Sequence, residues 1–162
     1  MHDMKSQTRY VKKLKSKRVL ICLLVFFALL PVFSYLHEAG HALVCIADGN
    51  EAEISVDIFN GGTTLCHGDV SNLFAYKISG GLVAGIVGTA AGIALFRWKI
   101  PFIAVTTIGI GHLINAGIEA FADSYITHCV EWSFFMGLVV FVIFLTLLII
   151  FDRKMVKRNE VL

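Results

Sequence analysis

The sequence predicts an all-α polytopic membrane protein of about four transmembrane helices, with a small β-hairpin between helices 1 and 2. Three observations carry this expectation. Of the 162 residues, 57% are hydrophobic, and the mean hydropathy is +0.76, which leaves too little polar sequence for a soluble domain or for a second folded one. The apolar residues fall into four runs, at about 19–47, 73–96, 100–122 and 132–151. Each is long enough for the roughly 20 residues that a spanning helix requires. Between the first two runs, Ile54, Val56 and Ile58 alternate with Ser55 and Asp57 ahead of Asn60-Gly61-Gly62, with 63–70 as a return strand. A period of two followed by that turn chemistry reads as a hairpin.

Taken in order, residues 1–18 form a basic segment, 19–151 the membrane domain and 152–162 a basic tail. The first segment carries Lys5, Arg9, Lys12, Lys13, Lys15, Lys17 and Arg18. It is not read as a signal peptide, because no small-residue cleavage site closes a short apolar core before the run continues. The basic residues at the two ends, with Arg97 and Lys99, all fall on one side of the predicted spans. The positive-inside rule therefore puts both termini in the cytoplasm and the loops 48–72 and 123–131 outside. With no organelle signal evident, the expected location is a prokaryotic cell membrane, as an integral multi-pass protein. The net charge of +2 sits at the ends rather than on a patch interleaved with aromatics, so nucleic acid is not an expected partner.

The first run contains His37-Glu38-Ala39-Gly40-His41. On a helix, positions i and i+4 share a face, so His37 and His41 can grip one metal ion while Glu38 serves as a base toward water. Ionisable residues in a spanning segment cost about 2–3 kcal/mol each, so three within five positions require a compensating partner, and a metal is the simplest. Pro31, six residues before His37, is expected to kink the helix and free backbone groups near the motif. In the second run, Gly80, Gly81, Ala84, Gly85, Gly88, Ala91 and Gly92 recur at spacings of three and four, a small-residue face suited to close helix packing.

A catalytic zinc needs a third protein ligand and an open position. The third run offers His112, Glu119 and Asp123 within about 40° on one helical face, with Asn115 about 60° to the side. Counting residues from the basic flanks at 1.5 Å per residue, Asp123 reaches the depth of His41 if the two helices are parallel. Glu119, one turn deeper, is the second choice. His112 lies about two further turns down, too deep to ligate the same ion. The four cysteines show no paired metal-binding spacing; Cys66 and Cys129 both fall on the outer side, where a disulfide can form.

These residues resemble the site-2 protease family of intramembrane zinc metalloproteases, peptidase family M50. The HExxH motif is His37 to His41. The family's Asn-x-x-Pro-x-x-x-x-Asp-Gly pattern corresponds to 115–124, supplying Asn115 and Asp123, with Ile118 in place of Pro and Ser124 in place of Gly. Ser79-Gly80-Gly81-Leu82-Val83-Ala84-Gly85 resembles the glycine-rich segment between them. The resemblance covers about 29–125 and corresponds to a minimal core plus one helix.

It implies one Zn2+ held by His37, His41 and Asp123, with Glu38 catalytic and Asn115 binding substrate or ordering the site. The substrate would be a transmembrane segment of another protein, locally unwound in the lipid bilayer, and a homo-oligomer or larger membrane complex stays open. The charge bias puts this site in the outer half of the membrane, opposite to the family's usual orientation. The competing expectation is a catalytically inactive M50-like structural or regulatory subunit.

Overall fold

Lysine and arginine are good helix formers, and the basic amino-terminal segment continues the first span as helix instead of standing apart from it. The computed structural model describes the backbone of residues 3–57, 61–121 and 129–159. In it, α1 (Asp3–Ala47) runs unbroken through Pro31. There follow β1 (Glu51–Asp57), β2 (Gly61–His67), α2 (Leu73–Ala94), α3 (Lys99–Phe121) and α4 (Cys129–Asn159). The expected four helices and hairpin are all present. Within α1, Val19–Ala47 is long and apolar enough to cross a membrane, as are Leu73–Ala94 and Lys99–Phe121. In α4 the described apolar stretch is the shorter Phe135–Ile150. Leu24, Phe27, Ile86, Ile93 and Phe121 lie more than half exposed, the surface expected of helices that face hydrocarbon.

The core forms where all four helices meet. Cys22, Phe26, Phe33, Ala84, Ile108 and Phe144 are buried there together. The small-residue face of α2 packs on α3: Gly88 lies against the Gly109 backbone, and Gly81 against Ala116 and the His112 carbonyl. A Cβ at either glycine would overlap those atoms, so side-chain-free positions set how closely the helices approach. On the other flank, Gly40 of α1 meets the Ser79 carbonyl oxygen and Gly80 Cα of α2, again with no room for a methyl group.

Helix α1 stops where Gly49 adopts φ 83°, and the Asn50 N–H bonds back to the Cys45 carbonyl at 3.1 Å. A glycine in the left-handed region is the usual way to close a helix. Ser71, just before α2, donates through its N–H and hydroxyl to Asp48 at 2.8 and 2.6 Å. These bonds hold the Asp48 carboxyl below its ordinary range, the Ser71 hydroxyl being the larger cause. Asn72 caps α2 by accepting from the Ala75 N–H at 3.0 Å.

The hairpin pairs β1 and β2 antiparallel, with Ser55 opposite Thr63 and Ala52 opposite Cys66. Gly61 and Gly62 belong to the return strand, not to the turn, so β2 begins two residues earlier than the sequence pattern predicts. Ala52, Ile54, Val56, Gly62, Thr64 and Cys66 form the half-buried face of the hairpin, and their neighbours are exposed.

The sequence leaves the cysteine pairing open; in the structure Cys66 is bonded to Cys45, with 5.9 Å between their Cα atoms. Cys45 stands one turn beyond His41 at the end of α1, and the hairpin folds back onto that turn. Counting Cys45 as part of the membrane span hid this pairing from the sequence.

Candidate metal centre

Helical spacing puts His37 and His41 on one face of α1, and their imidazoles meet edge to face, with 4.9 Å between ring centres and 3.1 Å between Nε2 atoms. Helix α3 brings Glu119 to the same point. Glu119 Oε1 lies 3.2 Å from His37 Nε2, and Oε2 lies 3.8 Å from His41 Nε2. The ligand atoms of these three residues lie within 4.8 Å of one another. The Glu119 and His41 side chains are 4% and 12% exposed, so little of the cluster reaches the molecular surface. Two imidazole nitrogens and one carboxylate oxygen converging in this way suit a divalent metal, zinc among several, with a position left open.

Each of the three side chains has a further polar contact, of the kind that orients metal ligands. The His41 Nδ1–H donates to the Tyr76 carbonyl at 2.7 Å, and the Ser79 hydroxyl donates to the same oxygen at 2.8 Å. Asn115 Nδ2 donates to Glu119 Oε1 at 2.9 Å. His37 Nδ1 faces His112 Nδ1 at 3.3 Å. Gly40 and Gly80 permit this construction. Gly40 lets α2 come near enough for Tyr76 to reach His41, and a Cβ on Gly80 would strike the His41 ring.

Glu38 stands beside the cluster and turns toward the hairpin. Its side chain is buried, and the Thr64 hydroxyl of β2 lies 2.8 Å from its Oε2 and 2.9 Å from its backbone carbonyl. Gly62 packs flat on the Glu38 side chain, leaving no space for a Cβ. The Tyr76 hydroxyl donates to the Thr64 carbonyl at 3.3 Å and ties strand β2 to α2. The hairpin thus covers one side of the carboxylate and supplies a hydroxyl to orient it.

Of the residues expected from sequence, His37, Glu38, His41, Asn115 and Glu119 come together, with Asn115 on Glu119. Asp123 lies outside the described residues; among those described, Glu119 is the residue that joins His37 and His41 in a group that could hold a metal ion. His112 is not part of the three-residue group, as its depth predicts; it meets the site through His37, whose ring presents a nitrogen on each side and so spans from Glu119 to a residue two turns below it. Thr64 and Tyr76 carry no motif, and only the fold brings them to the site.

No protein-family model, curated protein or solved structure matches the chain.

Proposed function

We propose that this chain is an intramembrane zinc metalloprotease, similar to the site-2 protease family, which hydrolyses peptide bonds in or near transmembrane segments of other membrane proteins. The observation that carries the reading is Glu119: a carboxylate from α3 meets both histidines of an HExxH helix within ligand distance, with Glu38 adjacent. Held by His37, His41 and Glu119, zinc would supply Lewis acidity toward a water and the scissile carbonyl.

The remaining chemistry belongs to the chain. Glu38 accepts a proton as the water oxygen adds to the carbonyl carbon, then returns it to the amine as the C–N bond breaks. Thr64 keeps the carboxylate oriented through its hydroxyl. Asn115 holds Glu119. A substrate helix must unwind locally to present a peptide bond, since a helical backbone keeps its carbonyls bonded to its own N–H groups.

The test is metal removal from the purified chain reconstituted in vesicles with a single-span protein. The preparation should contain about one zinc per chain, cleave the span, lose cleavage on chelation and regain it when zinc is restored. Absence of zinc in the folded protein would sink the reading. Zinc without cleavage across a panel of spans would favour the structural subunit.

Two independent observations support an orientation in which the hairpin and the metal centre lie on the extracytoplasmic side. The basic residues of 1–18, Arg97, Lys99 and those of 152–162 share one side of the helices by topology. The Cys45–Cys66 disulfide lies on the opposite side, and disulfides persist in oxidising compartments. The side of the membrane is read by labelling in intact cells, with Cys22 and Cys129 replaced by serine. An impermeant maleimide should modify a cysteine introduced at Glu53, whose side chain is 75% exposed. It should reach one at Lys99 only after lysis. The reverse pattern would invert the assignment.

A further inference from the structure

We infer that His112 is a positioning residue of the metal centre: its Nδ1 accepts a hydrogen bond from His37 Nδ1–H and thereby fixes the nitrogen that His37 turns toward the metal. The inference rests on the metal-site reading above and goes beyond it. A neutral imidazole carries one N–H, so a histidine that offers the Nε2 lone pair to a metal must bear its proton on Nδ1. That proton needs an acceptor in a buried site. His41 has the Tyr76 carbonyl at 2.7 Å. At the same atom of His37 stands His112 Nδ1, at 3.3 Å. His112 therefore presents a bare Nδ1 and keeps its own proton on Nε2.

The placement is specific to α3. His112 and Glu119 stand seven residues apart on one face of that helix. Glu119 Oε1 lies 3.2 Å from His37 Nε2, while His112 lies at Nδ1, so one helix holds the ring from both nitrogens. His112 is itself set by packing. Its ring is inclined 23° to the Phe33 ring at 6.1 Å, and its backbone carbonyl abuts Gly81 of α2. It also lines an open pocket of about 370 Å³ together with Phe26, Leu30, Met136 and Val140. A replacement there can settle into existing space without pushing the helices apart, so the role can be tested without dismantling the fold.

The experiment is zinc affinity, measured by competition with a chromophoric chelator on the full chain in detergent, for wild type, His112→Leu and His112→Gln. Leucine removes the acceptor, and glutamine restores one through its amide oxygen. His112→Leu should weaken zinc binding by about 10- to 100-fold, the range that loss of a ligand's outer partner costs. His112→Gln should stay within about threefold of wild type, well inside that range. The metal-free melting temperature of both variants should match wild type.

Wild-type affinity in His112→Leu would overturn the inference. So would a loss in His112→Gln equal to that in His112→Leu, or a loss that tracks a lowered metal-free melting temperature. Absence of zinc binding in the wild type is a different result, which removes the metal-site reading itself.

Discussion

Glu38→Gln is expected to lower cleavage by about 10²- to 10⁴-fold, the usual contribution of a positioned general base, while leaving zinc content at the wild-type level. Glu38 is not one of the three residues whose ligand atoms converge, so metal binding has no direct need of its charge. The Thr64 hydroxyl lies 2.8 Å from Oε2 of Glu38. A glutamine amide oxygen can take the same hydrogen bond, so strand β2 stays seated and the covering by the hairpin is kept. What glutamine cannot do is take a proton from water and hand it on. Cleavage of a reconstituted membrane span, read beside zinc content by atomic absorption, separates the two properties. Unchanged cleavage would remove Glu38 from the proton-transfer role. Loss of zinc together with cleavage would mean that Glu38 supports the metal.

Much of this arrangement was legible in the sequence because it follows from local periodicity. Hydropathy located the helices closely: the run at 73–96 became Leu73–Ala94, and the run at 100–122 became Lys99–Phe121. The spacing of His37 and His41 fixed their shared face without knowledge of the fold. The glycine pattern of α2 announced a close contact, and Gly81 and Gly88 indeed lie on α3. What was hidden depended on contacts between elements. The Cys45–Cys66 bond requires the hairpin to fold over the end of α1. Thr64 reaches Glu38 because the pairing with β1 puts Gly62, Thr64 and Cys66 on the half-buried face of the hairpin. A shift of one residue in that register would carry the hydroxyl to the opposite side. The depth of His112 excludes it from the group, but its contact with His37 Nδ1 depends on how two helices pack and on a ring with two nitrogens.

The choice between Glu119 and Asp123 shows the same boundary and yields the second large effect. Residue counting favoured Asp123 and left Glu119 one turn deeper, a difference of about 6 Å along a helix axis. Yet Glu119 stands 20 residues beyond Lys99 and His37 stands 19 beyond Arg18, so by the same count the two lie at about one depth. With Glu119 Oε1 3.2 Å from His37 Nε2 and Oε2 3.8 Å from His41 Nε2, the three residues could hold a metal ion without Asp123, and the proposed zinc site needs no more than three protein ligands.

Glu119→Gln should therefore weaken zinc binding by more than the roughly 100-fold that marks the upper end for loss of an outer partner. The helices should remain packed, because the amide oxygen of glutamine can still accept from Asn115 Nδ2, which now donates to Glu119 Oε1 at 2.9 Å. Asp123→Asn should keep about one zinc per chain, since a three-ligand site does not require it. Zinc content and chelator competition on the two purified variants decide the matter. Retention in Glu119→Gln with loss in Asp123→Asn would move the third ligand to the position that the site-2 protease resemblance implies. Glu119 would then be left as a buried carboxylate held by His37 and Asn115 for packing alone.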